Sequence, residues 1–271
     1  MLDQLREMLS LGFMQRAFLG GIMVGASCSF LSVFVVLRRM AFIGQGVSHA
    51  AFGGVALSVL IGIQPTLGAA MFAVLTALAI GVMSRRRWVA EDSTIGIFLA
   101  VTMALGLLFL GFKEGNTANL FGYLFGSILS ILPADLPRIL IMTGAVFALL
   151  LAFVKELHFY SFDEDMARVS GIPVDLLYFG LLVLIAVTVV ASMKLVGVIL
   201  VTALLVIPGA GARLLTSSIF TMIVISVAAG VLGVVIGLTA AFLLDISPGA
   251  AIVLVLFFFF LGAFLLSRRR N

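Results

Sequence analysis

The chain has 271 residues, of which 63% are hydrophobic and 10% charged, with a net charge of +4. A soluble domain is about 45–50% apolar and about 25% charged, and a chain of this length has too little interior to hide so much apolar surface. The apolar and polar residues do not alternate as a transmembrane barrel requires, and the arginines sit in short clusters at the ends of apolar runs, as topology signals do, rather than forming a nucleic-acid surface. The sequence therefore reads as an all-α polytopic membrane protein embedded in a lipid bilayer, with no nucleic-acid partner.

Residues 1–12 contain acids and lack the basic stretch of a signal peptide. They read as an amphipathic helix lying on the membrane surface. A single transmembrane domain follows over residues 13–267, closed by a basic tail at 268–271. Its first span runs from about Phe13 to Leu37 and ends at Arg38-Arg39. The second, from about Ala41 to Ile63, carries Gln45, His49 and the glycines Gly44, Gly46, Gly53 and Gly54, which allow close helix approach or local unwinding. Gln64-Pro65 makes a turn into the third span, Thr66 to Ser84, which ends at Arg85-Arg86-Arg87. Ser93 is placed to cap a fourth span ending near Phe112. Lys113 to Asn119 is polar. Leu120 to Leu132 is apolar but too short to cross, and reads as a re-entrant or interfacial helix broken by Pro133 and Pro137.

The fifth span runs from about Arg138 to Val154. A polar interval, with a loop over 157–174, leads to the sixth span, Leu176 to Ser192. After Lys194 the seventh runs to Gly211, interrupted at Ile207-Pro208-Gly209. The eighth spans about Ile219 to Leu244, Asp245 to Gly249 turns, and the ninth ends at Ser267. With about nine spans (eight or ten being the alternatives), Arg38-Arg39, Arg85–Arg87, Lys155, Arg168, Arg213 and Arg268–Arg270 fall on one side, and Lys113, Lys194, Asp135 and Asp245 on the other. The positive-inside rule then puts the N-terminus outside and the C-terminus in the cytoplasm.

Four groups of residues carry functional readings. Gln45 and His49 are four apart and share a helix face. Imidazole is a good transition-metal ligand and an amide oxygen a weak one, which suits a transit site that must let its ion go; the alternative is a histidine bonded to a neighbouring backbone group or to Ser48. Phe162 to Pro173 holds a short helical register, Glu164 to Val169, with acids before it and Gly171 behind it. It reads as a charged helix standing off the membrane, suited to docking another protein, or as an ordinary solvated loop. Pro208 and Gly209 mark a broken span and a candidate gating point. Asp245 reads as a cap or loop acid, with a charge at the outer mouth as the alternative. Cys28, the lone cysteine, reads as a small core residue. The chain contains no phosphate-binding loop, no Cys-x-x-Cys, no His-Glu-x-x-His and no Gly-x-Ser-x-Gly.

Six blocks in order resemble a known family: Leu37–Leu57 (LRRMAFIGQGVSHAAFGGVAL), Ser93–Leu108, Tyr123–Leu129, Phe162–Val174 (FDEDMARVSGIPV), Val196–Leu215 and Asp245–Val255. Together they resemble the permease subunit of zinc, manganese and iron ABC importers, the ABC-3 family. The resemblance implies a type II ABC importer-like fold with a cytoplasmic coupling helix. It also implies a homodimer forming the pore, a cytoplasmic ATPase dimer, and an extracytoplasmic metal-binding protein in a prokaryotic plasma or inner membrane. It implies that the chain is not an enzyme by itself, that the partner subunit uses the ATP, and that no cofactor is bound stably beyond the transported ion.

On this resemblance Asp163, Glu164, Ala167 and Gly171 fall at the ATPase contact, and Gln45 and His49 fall where the family reads Asp-x-x-x-His. Gln45 departs from the aspartate, which removes a charge and a hard ligand. The expected cargo is zinc or manganese, with iron a further candidate. The alternatives are a permease for a metal chelate, siderophore or cobalamin-like cargo, and a transporter driven by an ion gradient. The last is disfavoured because the acids lie mainly at span ends and in loops rather than within the spans.

Overall fold

A computed structural model describes residues 8, 10–86, 89–112, 126 and 128–268. The described residues form helices α1 (Gly12–Leu37), α2 (Ile43–Ile61), α3 (Pro65–Arg85), α4 (Glu91–Gly111), α5 (Leu136–Ala152), α6 (Val154–Phe162), α7 (Glu164–Val169), α8 (Val174–Val196), α9 (Val198–Leu204), α10 (Ile207–Leu215), α11 (Ile219–Leu244) and α12 (Pro248–Arg268), with one 3-10 turn at Ile128–Ser130. Among the described residues, eight stretches are long and apolar enough to cross a membrane. The pair α5 and α6, bent by 63°, makes a ninth if read as one span. The protein is thus a multi-pass membrane protein. Most of the expected surface helix over 1–12, the polar stretch 113–119, most of the re-entrant segment 120–132 and the tail beyond Arg268 lie outside the described residues.

α1 and α2 form the centre, each with 72% of its spanning window buried, whereas α4 and α12 bury only 22%. α2 packs on α3 and α4; α1 packs on α11, α5 and α10; α8 joins α3 to the rest, and α12 leans on α11 and α10. Lipid tails are as apolar as leucine, so helices here are held by close packing and interhelical hydrogen bonds rather than by expulsion of water. The serines of α1 supply several of those bonds. Ser27 Oγ donates to the Met23 carbonyl within α1 at 2.6 Å and reaches across to Thr143 Oγ1 of α5 at 3.4 Å. Ser29 accepts at its carbonyl from Ser226 Oγ of α11 at 2.6 Å. Ser32 Oγ accepts from the Gly209 N–H of α10 at 2.8 Å. Cys28 is fully buried among them, as expected of a core residue.

Four boundaries differ from the sequence expectation. α4 starts at Glu91 with Ala90 as its N-cap, so Ser93 stands inside the first turn and does not cap it; Glu91 and Asp92 supply the favourable negative charge there. The interval from 154 to 162 is a helix, not loop: Val154, Leu157 and Tyr160 recur on one face and are buried, so the loop assigned to 157–174 begins only after Phe162. α8 runs through position 194 to Val196, and the break comes at Gly197, whose φ of +86° a side-chain-bearing residue adopts only with strain. Finally, Pro208 does not kink a helix. The chain breaks before it, at Leu205–Val206, and Pro208 sits in the first turn of α10, where its missing N–H has no intrahelical partner to lose.

Candidate functional site

α2 is built to be packed on all but one narrow stripe. It ends at Gly62, left-handed with φ +77°, where the Ile63 N–H closes on the Ser58 carbonyl at 2.9 Å. Its glycines admit the neighbouring backbones. A Cβ at Gly54 would stand 2.3 Å from the Gly68 carbonyl oxygen of α3, and one at Gly53 2.9 Å from the Thr102 carbonyl oxygen of α4. From Ile43 to Ala56 every residue is buried except Gln45 and His49.

The structure therefore brings these two to the same face and to the surface of the protomer. Ser48 does not hold His49: its hydroxyl is buried and donates to the Gly44 carbonyl at 2.7 Å. His49 Nδ1 is buried with no hydrogen-bond partner among the described residues. One imidazole nitrogen and one amide oxygen thus sit one turn apart with no evident structural duty. No group of three His, Cys, Asp or Glu side chains that could hold a metal lies together among the described residues.

The second constellation gathers at the arginine-rich end. α7 forms where its caps predict it. Asp163 accepts from the Met166 N–H at 2.9 Å as N-cap, and Gly171, with φ +80°, ends the turn. Glu164 does not face outward. Its Oε2 lies 2.7 Å from Arg38 Nη2, and its Oε1 3.1 Å from Arg85 Nη1 and 3.6 Å from Arg168 Nη2. Asp175, at the start of α8, pairs with Arg85 and, at 3.4 Å, with Arg168. Arg38 also donates to the Tyr160 carbonyl at 3.2 Å and stacks over the Tyr160 ring at 3.9 Å, while Arg85 lies 4.9 Å from the Tyr178 ring. Partial burial works against the Glu164 charge. The hydrogen bond and charge of Arg38 and the charge of Arg85 outweigh it and hold the carboxyl below its usual range.

Ala167, expected at a partner contact, is fully buried within the protomer. The outward face of α7 is instead Met166, 54% exposed, and Val169, 84% exposed, with Ser170 and Gly171 exposed beside them. Gly209 packs so tightly on α1 that a Cβ would meet the Ser32 carbonyl oxygen at 2.6 Å. Asp245 is exposed and caps α11 in the left-handed conformation at φ 52°, its N–H donating to the Ala241 carbonyl. The roles of Arg38, Arg85, Asp175 and Tyr160 were not read from the sequence. The one signal present was that Arg38 and Arg85 each precede an end-of-span turn, which topology alone explains.

Residues 10–267 match the ABC 3 transport family. The chain belongs to that family. It is 35% identical, over 98% of its length and 91% of the relative's, to the manganese transport system membrane protein MntC of Halalkalibacterium halodurans. It is 34% identical, over 100% of its own length and 99% of the other's, to a probable iron transport system membrane protein of Haemophilus influenzae. To the chelated iron transport system membrane protein YfeD of Yersinia pestis it is 35% identical over 93% of this chain and 84% of that one. Among solved structures, PsaBC from Streptococcus pneumoniae in complex with Fab superposes with a TM-score of 0.85 at 33% identity, covering 97% of this chain and 95% of that one. A putative metal-chelate type ABC transporter in an inward-facing conformation shares the fold, with a TM-score of 0.74 at 17% identity over 95% of this chain and 86% of that one. As an ABC-3 permease the chain is the non-enzymatic membrane component of a transport system.

Proposed function

We propose that this chain is the pore-forming permease subunit of an ATP-driven importer of divalent transition metal ions, and that the ion passes between Gln45 and His49 of two copies. The observation that carries this is the polar opening of α2 at Gln45 and His49, where an unpartnered imidazole nitrogen lies on the otherwise buried stretch Ile43–Ala56. One protomer offers two donors there. A two-fold axis beside this face, the commonest symmetry of homo-oligomers, doubles them to four, enough for a transition metal held loosely. Manganese or iron is the cargo we favour: relatives carry those metals in their names, and an amide oxygen beside imidazole suits them. None of the relatives quoted carries zinc in its name.

The outward face of α7 docks a cytoplasmic ATPase dimer, and an extracytoplasmic binding protein delivers the ion on the opposite face. The arginine-rich end, with Arg38, Arg85, Arg168, Arg213 and Arg268, then lies in the cytoplasm, and the N-terminus lies outside the plasma or inner membrane. ATP binding draws the two α7 helices together and changes which side of the pore is open, a rigid-body two-state change.

The test is metal accumulation, by elemental mass spectrometry, in cells lacking their own importers and expressing this chain with its ATPase and binding protein. Zinc, manganese, iron and cobalt are offered in turn, with His49→Ala beside the wild type. Uptake of manganese or iron, lost in the variant, supports the reading. Uptake of a chelate but of no free ion, from an assembled complex, would overturn it in favour of a chelate permease, the reading that the name of YfeD supports.

A further inference from the structure

We propose that Glu164 is a positioning residue that locks the α7 helix to the ends of α1 and α3, so that the movement of α7 is delivered to the helix carrying His49. The proposal rests on the importer reading above and adds the internal route by which the stroke travels. It comes from where the carboxylate points. A glutamate on a six-residue helix at the protein surface has solvent available, yet Glu164 turns inward and spends both oxygens on three arginines from three places in the chain. These are Arg38 at the end of α1, Arg85 at the end of α3 and Arg168 on α7 itself. Asp175 ties Arg85 and Arg168 to the start of α8. Arg38 and Arg85 are only 19% and 18% exposed, so their pairs with Glu164 are partly shielded from the screening that makes open surface pairs weak, whereas Arg168 and Asp175, 53% and 59% exposed, are not.

The apolar contact beneath is a single small residue. Ala167 is fully buried, but it offers one methyl against the bundle. Dispersion from so small a group is slight, so within α7 itself the ion pairs are the larger hold, between the buried flanking residues Tyr160 and Val174.

The route onward is short. Arg38 is the C-cap of α1, and Met40 of the following turn is buried and hydrogen-bonded back to Val35 at 2.9 Å. α2 begins at Ile43, and His49 lies six residues further, about 9 Å along the helix. His49 therefore stands in the half of the bundle nearest α7, and a displacement of Arg38 reaches it through one tight turn. With Glu164 neutral, α7 still docks its outward face but loses its direct hold on α1 and α3, keeping only the strand from Arg168 through Asp175 to Arg85.

The experiment uses the whole complex of permease, ATPase and binding protein in lipid vesicles, with manganese as the probe, comparing wild type with Glu164→Gln, a substitution of nearly equal shape. Spin labels at Asp165→Cys on α7 and Phe42→Cys before α2, both exposed, read their separation with and without ATP; the native Cys28 is buried and does not label. The expected result is ATP hydrolysis within about twofold of wild type, manganese moved per ATP reduced about tenfold, and a label separation that stays fixed on ATP binding in wild type but broadens in Glu164→Gln. Wild-type manganese per ATP in Glu164→Gln, or an unaltered label separation, overturns the proposal. Should Glu164→Gln fail to assemble, Asp175→Asn and Arg168→Gln each remove one strand of the same clamp, and full coupling in both overturns it equally. A wild-type complex that moves no manganese counts against the importer reading instead, and the label separations still decide the clamp.

Discussion

Substituting alanine for glycine along α2 separates the demands of helix formation from those of packing. In a helix interior alanine is favoured over glycine by about 0.8–1.0 kcal/mol, so a glycine with room around it gains stability on substitution. Gly144 of α5 has nothing within 4 Å of an added Cβ, and Gly144→Ala is expected to be neutral or to gain up to that amount. At Gly54 the added carbon falls 2.3 Å from the Gly68 carbonyl oxygen and 2.6 Å from Phe72 Cβ, more than 1 Å inside ordinary contact. A backbone carbonyl cannot swing aside, so α2 and α3 must part. Overpacking costs about 1–3 kcal/mol; taking the upper end and subtracting the propensity gain leaves a loss of about 2 kcal/mol, or roughly 4–8 °C in melting temperature. Gly46→Ala meets only the Ile95 side chain, at 2.9 Å, and should fall between. Melting of the purified permease in detergent, followed by intrinsic fluorescence or light scattering, ranks the three. A Gly54→Ala protein as stable as wild type would refute the close approach of α2 to α3, and with it the account of why only Gln45 and His49 reach the surface.

Other perturbations test the remaining parts. Glu164 titrates below the usual value of 4.5 in the folded protein, so its stabilising effect is full above pH 4.5 and is lost as pH falls through the depressed value. Glu164→Gln should accordingly melt roughly 2–4 °C below wild type at pH 7, and the gap should close in acid; a gap independent of pH would show that charge is not what the clamp uses. Gln45→Asp restores a carboxylate beside His49 and is expected to lower the manganese concentration for half-maximal uptake about tenfold, equivalent to ~1.4 kcal/mol, and an unchanged concentration dependence would remove Gln45 from the ion's path. Val169→Arg, on the exposed face of α7, should leave melting unchanged and abolish ATP-driven transport. Ala167→Arg should instead lower the melting temperature or prevent folding, because a buried position must then take a charge. Equal effects at the two positions, read by melting and uptake, would contradict the orientation of α7.

The spans were legible because the bilayer imposes length and apolarity, properties of a contiguous stretch. α7 was legible for a similar reason: Asp163 and Gly171 are local capping signals that fix its ends within the sequence. What such signals cannot carry is direction across the bundle. Glu164 and Arg38 are 126 positions apart, and nothing near either one announces the other. The sequence therefore offered Glu164 and Ala167 equally to an outside partner, while the structure turns both inward. Helix α6 was hidden in an interval whose charges Lys155, Glu156 and Asp163 suggested loop, although Val154, Leu157 and Tyr160 already carried its buried face. The break in the seventh span was legible from Pro208, but its place, at Leu205–Val206 just ahead of the proline, was not, because neither residue carries a local breaking signal. Gln45 and His49 were legible as a pair from their spacing; that they are the only open positions over the first four turns of α2 depends on Gly53, Gly54 and their partners on α3 and α4.

The most direct test of the account is ATP-driven manganese entry into vesicles holding the reconstituted complex, read by a manganese-quenched dye inside, for wild type and His49→Ala at matched ATP hydrolysis. The account predicts steady accumulation in wild type and none above the ATP-free background in His49→Ala. Equal accumulation in both would mean that the ion does not pass His49, and that the opening on α2 serves something other than the transported metal.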